Sequence, residues 1–213
     1  MKLGRLAIAA GSGYLLGSIP IGVMIGRLAA GVDVRKYGSR VSGATNVLRT
    51  AGPRAAAATV GLDTAKGYLA ARLGEGIAGD EGAVAAGVGA AMGHSWPVFA
   101  EFNGGRSVLT CWGSLLAIDP PAAGAAAAAG AATSLTTRYV SLGALTGVSV
   151  ALLTTLIRPG NRPKKGPAFC LFALSFLVYR HQENLARLSR GEEHRLGEQI
   201  NTTQDSPPPD QAS

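Results

Sequence analysis

The sequence predicts an all-α integral membrane protein, with about seven transmembrane helices joined by short segments that carry the chemistry. Three observations lead there. Only 15% of the 213 residues are charged and 47% are hydrophobic, whereas a soluble globule carries about 25% charge. Residues 6–26, 82–100, 120–137 and 139–157 hold no Lys, Arg, Asp or Glu, and a helix needs roughly 20 mostly apolar residues to cross about 30 Å of hydrocarbon. Glycine and alanine make up nearly a third of the chain, which suits close helix approach in lipid. The same figures exclude other classes. A disordered chain needs more charge, a collagen needs glycine at every third position, and two cysteines make no disulfide scaffold. A soluble bundle would show polar residues every third or fourth position, and a chain of this size cannot hide four such runs.

The spans follow in order. The first, 6–26, is preceded by Lys2 and Arg5 but lacks the A-x-A site of a cleaved signal. The second, 55–73, is interrupted by Asp63, Lys66 and Arg72. Asp63 and Lys66 stand at i and i+3 and can neutralise each other, yet ionisable residues inside a span are functional candidates by default. The third is 82–100 and the fourth the short run 107–118. The fifth, 120–137, opens on Pro120 and Pro121 and stops at Arg138. The sixth is 139–157 and the seventh 166–179. Cys111 and Cys170 fall within spans and read as packing residues. Residues 1–200 read as one membrane-embedded domain, and 201–213, with Pro207, Pro208 and Pro209, as a disordered tail.

Seven spans put the termini on opposite sides. Twelve basic residues fall on the C-terminal side and seven on the other. The positive-inside rule then places the C-terminus and the long connecting segments in the cytoplasm. The loop 158–167, with four basic residues, opposes this.

Segments on the basic face are richer than linkers. Residues 31–54 carry Gly38, Ser39, Gly43, Asn46 and Arg49. Small residues let backbone N–H groups approach an anion, and arginine can hold a phosphate bidentately. Residues 93–106 carry His94, then Gly104 and Gly105 before Arg106. Arg138 to Ser141 form a short loop, and Arg180, His181 and Asn184 follow the last span. Each has a bland reading alone: an arginine anchoring the interface, an interfacial histidine, a plain turn. Their convergence on one face is the footprint of a phosphorylated, water-soluble ligand meeting a lipid-soluble one.

These blocks also resemble a known family. Gly17-Ser18-Ile19-Pro20 with Gly22 and Arg27, Gly38-Ser39 with Ser42-Gly43-Ala44-Thr45-Asn46 and Arg49, and Asp63 with Lys66-Gly67 come in that order. Gly93-His94 with Pro97-Val98-Phe99, Phe102 and Gly104-Gly105-Arg106, then Tyr139-Val140-Ser141-Leu142, then His181 and Asn184 complete the pattern. Together they resemble the bacterial acyl-phosphate:glycerol-3-phosphate acyltransferases, the PlsY family, over roughly residues 14–197. The resemblance implies a seven-helix membrane enzyme that moves a fatty acyl group from acyl phosphate to the 1-hydroxyl of sn-glycerol 3-phosphate, giving lysophosphatidic acid and phosphate. It implies sites at Ser39, Arg49, His94, Arg106, Ser141, His181 and Asn184. Its partners are the two substrates and the lipid bilayer; no metal, cofactor or nucleic acid is expected, and oligomeric state is not readable.

The chemistry suits such residues. An acyl phosphate is already activated, so no protein nucleophile is needed, and the work is positioning and charge stabilisation. The hydroxyl proton goes either to a substrate phosphate or to His94. The H-x-x-x-x-D acyltransferase pattern is missing: the fifth residue beyond His94, His181 and His194 is Phe99, Ala186 and Gln199. The chain departs from the family pattern at Arg40 and Val41 (Gly-Asn in the family), at Arg106 (Lys) and at Ser107 (Gly). A divergent paralogue of low activity, or a small transporter of an anionic solute, are the competing readings. The lack of matching halves counts against the transporter.

Overall fold

A computed structural model describes residues 2–158 and 165–198. The described residues are helical, with no strand. Helices α1 (Lys2–Gly17) and α2 (Ile21–Ala30) form one stem broken before Pro20, which has no N–H to continue the ladder. After a one-turn helix at Val34–Lys36 comes α3 (Ala44–Ser95), which is not straight. Gly52 (φ 85°), Ala78 (φ −142°) and Gly79 (φ 63°) interrupt it, leaving three rods, 44–51, 53–77 and 80–95. Pro53 sits just after the first break, where a missing N–H costs nothing. Then come α4 (Val108–Ile118), α5 (Pro120–Thr137), α6 (Val140–Ile157), α7 (Lys165–Arg180) and α8 (Gln182–Ser189).

The stem, the two longer rods of α3, and α4 to α7 make seven rods, which is consistent with the seven spans expected. Lys2–Ala30 and Val140–Ile157 are long and apolar enough to cross a membrane on their own. One expectation changes in detail: residues 44–51, read as part of a connecting segment, are already helix.

Backbone-to-backbone packing explains the glycines. A Cβ on Gly13 or Gly17 would fall 2.1 Å from the carbonyl oxygens of Ala86 or Ala90, so only glycine lets α1 lie against rod 80–95. A Cβ on Gly67 would fall 2.1 Å from the Thr110 carbonyl and one on Gly113 2.0 Å from that of Thr64. Rod 53–77 and α4 therefore cross in contact, and Ser114 Oγ donates to the Gly67 carbonyl at 3.0 Å. Where lipid is as apolar as the side chains, such close contact supplies the association energy. The apolar core lies among α4, α5, α6 and α7, around Leu115, Ile118, Phe169 and Leu177. Cys111 and Cys170 are buried there as free thiols.

The rods alternate in direction, which gives the bundle two ends. One end is closed by ion pairs. Lys2 meets Glu81 at 2.9 Å, Lys165 meets Asp80 at 2.8 Å and Glu75 at 3.3 Å, and Arg72 pairs with Glu75. Arg158 meets buried Asp119 at 2.7 Å, and the same carboxylate accepts from the Ala122 N–H at 3.2 Å to cap α5. Arg158 and Lys165, half of the basic loop that argued against the orientation, are thus neutralised by acids. Arg162, Lys164 and the expected disordered tail at 201–213 lie outside the described residues.

Candidate active site

The other end holds a polar cavity of about 250 Å³. Four helices begin in its wall: α3 at Gly43 to Thr45, α4 at Ser107 to Leu109, α6 at Val140 and Ser141, and α8 at His181 to Asn184. None of the four carries a side-chain cap. Helix N-termini present unsatisfied N–H groups and a partial positive charge, so their convergence suits the cavity to an anion. Ser39, Arg49, His94 and Arg106 complete the wall.

The segment before α3 is held from within by Asn46. Its Nδ2 donates to the carbonyls of Val34 (2.7 Å), Val41 (2.9 Å) and Tyr37 (3.1 Å). Its Oδ1 accepts from the Ser39 N–H at 3.2 Å. The amide is buried and fully used, so Asn46 shapes the loop that presents Ser39. Asp33 caps the one-turn helix through the Arg35 N–H at 3.0 Å. The Arg35 guanidinium, 2.7 Å away, holds the Asp33 carboxyl below its usual range. Arg35 also donates to the Ala100 carbonyl at 2.8 Å, which ties this loop to the next.

His94 ends rod 80–95 and is buried. Its Nδ1 lies 3.4 Å from Asp63 Oδ1, and Lys66 Nζ lies 2.8 Å from the same oxygen. Lys66 donates to the Ile19 carbonyl at 3.0 Å, anchoring the break in the stem. The charged pair inside the span is therefore a buried triad beside the cavity, with Asp63 in its wall. Gly104 and Gly105 lie behind the wall. A Cβ on Gly104 would fall 2.0 Å from the His94 carbonyl, and one on Gly105 would fall 2.2 Å from His94 Nε2. Their smallness lets the segment leading to Arg106 press on the imidazole.

Three guanidiniums stand around the cavity without a carboxylate partner among the described residues. Arg49 donates weakly to the Arg195 carbonyl at 3.5 Å. Arg180 donates to the Gly105 carbonyl at 3.0 Å and lies over the Trp96 ring, 5.2 Å from its centre. Arg106 has neither hydrogen bond nor ion pair among the described residues. Burial, with Arg187 nearby, pulls it down to about 10, so it stays cationic at neutral pH.

Sequence reasoning missed Glu193. It accepts from Ser141 Oγ at 2.8 Å, Asn184 Nδ2 at 2.6 Å and Arg187 Nε at 3.0 Å. Burial alone would raise its carboxyl, but the bonds from Asn184 and Ser141 outweigh that and hold it below the usual range. Glu193 therefore locks α6 to α8. The only signal for it was a carboxylate in a charged tail after the last span. Arg187 and His194, also in the wall, shared that obscurity. His181 donates Nδ1–H to the Leu177 carbonyl at 2.8 Å. Burial pulls its imidazole down to about 4, leaving a neutral ring whose Nε2 can accept.

Two further cavities adjoin this one. A water-facing vestibule of about 580 Å³, lined by Gly38, Arg40, Arg180 and Glu183, shares Ser39, Arg106 and Arg187 with it. An apolar cavity of about 290 Å³ among α4 to α7 shares Val108, Leu109, Val140 and Ala144. Water, anion site and apolar slot thus lie in sequence.

The family pattern described as glycerol-3-phosphate acyltransferase matches residues 7–191. The chain belongs to that family. It is an integral membrane protein. A glycerol-3-phosphate acyltransferase of Symbiobacterium thermophilum is 47% identical over 186 residues, 87% of this chain and 92% of the relative. One of Dinoroseobacter shibae is 42% identical over 195 residues, 91% and 94% of the two chains. The crystal structure of PlsY, an integral membrane glycerol 3-phosphate acyltransferase, in its glycerol 3-phosphate form has a TM-score of 0.82 at 32% identity, covering 93% of this chain and 97% of that one. Its lysophosphatidic acid form has a TM-score of 0.81 at 33% identity, covering 90% and 95%.

Two departures from the family pattern fall where the backbone is left-handed. Arg40 and Ser107 stand where the pattern has glycine, and both have positive φ, 54° and 63°. The left-handed backbone is kept although the residue that adopts it freely is gone.

Proposed function

We propose that this glycerol-3-phosphate acyltransferase takes its acyl group from acyl phosphate and places it on the 1-hydroxyl of sn-glycerol 3-phosphate. The observation that carries the reading is the shared wall between the uncapped, arginine-lined cavity and the apolar slot. An acyl phosphate has one part for each: its phosphate faces the helix N-termini and its chain enters between α4 and α7. Glycerol 3-phosphate arrives through the vestibule, and Arg106, in the walls of vestibule and cavity, stands at the passage between them.

The hydroxyl oxygen attacks the carbonyl carbon, the bond from that carbon to the phosphate oxygen breaks, and phosphate leaves with the electron pair. Arg49, Arg106 and Arg180 offset the repulsion of two anionic groups held side by side, and fixed N–H dipoles stabilise the developing oxyanion. The hydroxyl proton ends on a phosphate. His94, enclosed between Asp63 and Gly105, serves as wall rather than base. Neutral His181 through Nε2, and Asn184 through a buried Oδ1 with no protein partner, accept from the glycerol hydroxyls. Ser141, already donating to Glu193, retains acceptor capacity too. Gly38, Ser39, Gly43 and Asn46 build the loop under the phosphate, and Gly104 and Gly105 the segment behind Arg106.

The richly basic end faces the cytoplasm of the bacterial plasma membrane in a multi-pass arrangement, with the C-terminus on that side, and residues 1–200 act as one domain. No cofactor is called for, because the mixed anhydride supplies the driving force. Membranes containing the protein should convert palmitoyl phosphate and glycerol 3-phosphate to lysophosphatidic acid without acyl-CoA. Turnover with acyl-CoA alone, or none in a folded preparation, would sink the reading.

A further inference from the structure

Arg106 poses a positioning problem. Its guanidinium faces two cavities and has no hydrogen-bond or ion-pair partner among the described residues. A long side chain without a tether is placed only by its backbone, and that backbone follows two glycines. Something must hold the segment.

The holding contacts come from two buried serines. Ser107 Oγ donates to the Ala91 carbonyl at 2.6 Å and meets Ser95 Oγ at 2.8 Å. The single Ser95 hydroxyl proton is shared between Ser107 Oγ and the Gly105 carbonyl, 3.1 Å away. Both serines are 1% exposed. The chain of hydroxyls thus runs from α3 to the residues on either side of Arg106. Ser107 makes these bonds from a left-handed backbone, φ 63°. Glycine would adopt that backbone without strain but has no hydroxyl. The serine therefore exchanges conformational ease for a buried anchor.

We propose that Ser107 and Ser95 are positioning residues that act through Arg106, a clamp that fixes the angle at which the guanidinium enters the site. Two features of this chain, arginine and serine at 106 and 107, then form one unit. The larger, planar guanidinium is less tolerant of misplacement than an ammonium, and the clamp supplies the register it needs. The inference rests on the acyl-phosphate reading for its assay.

The test is a double-mutant cycle on the full chain in lipid vesicles, with kcat and KM for glycerol 3-phosphate. S107G relieves the backbone and removes the anchor. It should fold, raise KM by about tenfold, the worth of roughly one buried hydrogen bond, and leave kcat within about twofold. Added to R106A, S107G should raise KM no further, since a positioning residue has nothing left to position. S95A keeps the bond from Ser107 to Ala91 and should give an intermediate KM. An S107G effect undiminished on R106A, or an unchanged KM in both serine variants, would overturn the clamp. Should S107G fail to fold, S95A alone and on R106A decides in the same way. A parent without turnover on acyl phosphate would instead overturn the donor assignment; the cycle would then be read on the dissociation constant for glycerol 3-phosphate, with the same two outcomes.

Discussion

The two ends of the bundle use the same residue types to opposite effect. At the closed end, Lys2, Arg72, Arg158 and Lys165 each meet a carboxylate, and Asp119 both pairs with Arg158 and caps α5. At the site end, four helix N-termini go without side-chain caps, and Arg49, Arg106 and Arg180 have no carboxylate partner among the described residues. The carboxylate in the site wall beyond the span, Glu193, faces Ser141, Asn184 and Arg187 instead. The difference teaches that positive charge is not the mark of a site; positive charge left unanswered is. In the proposed reaction, substrate phosphates complete at one end what acidic side chains complete at the other.

The comparison can be broken by exchanging cost and function between ends. The largest effect belongs to Arg106. R106A should lower kcat/KM by about 10²–10³-fold, the usual loss for one preorganised charge donor, whereas R106K keeps parental activity or more. Equal activity in R106A and the parent would remove Arg106 from the site. At the closed end the effect should be on stability alone. R158A leaves Asp119, 1% exposed, without its cation and should cost about 3 kcal/mol, with KM unchanged. Thermal unfolding and steady-state kinetics on one preparation check both halves.

His181 gives a pH test of the site end. Its folded value near 4 lies below the ordinary value of about 6.5, so the unfolded chain binds more protons between these limits. Stability is therefore full above about 6.5 and is lost as pH falls towards 4, by about 2 kcal/mol from pH 7 to pH 5. H181Q should flatten this part of the melting profile. A parent profile already flat between pH 7 and 5 would show that His181 is not buried as a neutral ring. The smallest effect is at Arg40, exposed with φ 54°. R40G should raise stability by about 1 kcal/mol by relieving the left-handed strain, while a missing vestibule charge raises KM about twofold at low salt. A destabilised R40G would contradict the strain.

Most of the fold was legible because charge gaps mark passes whatever their packing. The site was legible as a set of segments, since Ser39, Arg49, His94, Arg106, Ser141, His181 and Asn184 do line one cavity. Their division of labour was not. Asn46 looked like a ligand-binding amide and is consumed by its own loop, because three carbonyls are brought together only by the turn at Val34–Lys36. Gly104 and Gly105 looked like a phosphate loop and instead make room for His94, a contact set by the bend after α3. Glu193 carries no periodic signal and gains its role only when α8 folds back on α6.

The central claim is that the open end binds the substrate phosphate and the closed end does not. Calorimetric titration of glycerol 3-phosphate into three purified proteins tests it most directly. Parent and R158A should bind one equivalent with the same affinity, and R49A/R106A should show no binding over that range. Parental affinity in R49A/R106A would contradict the account.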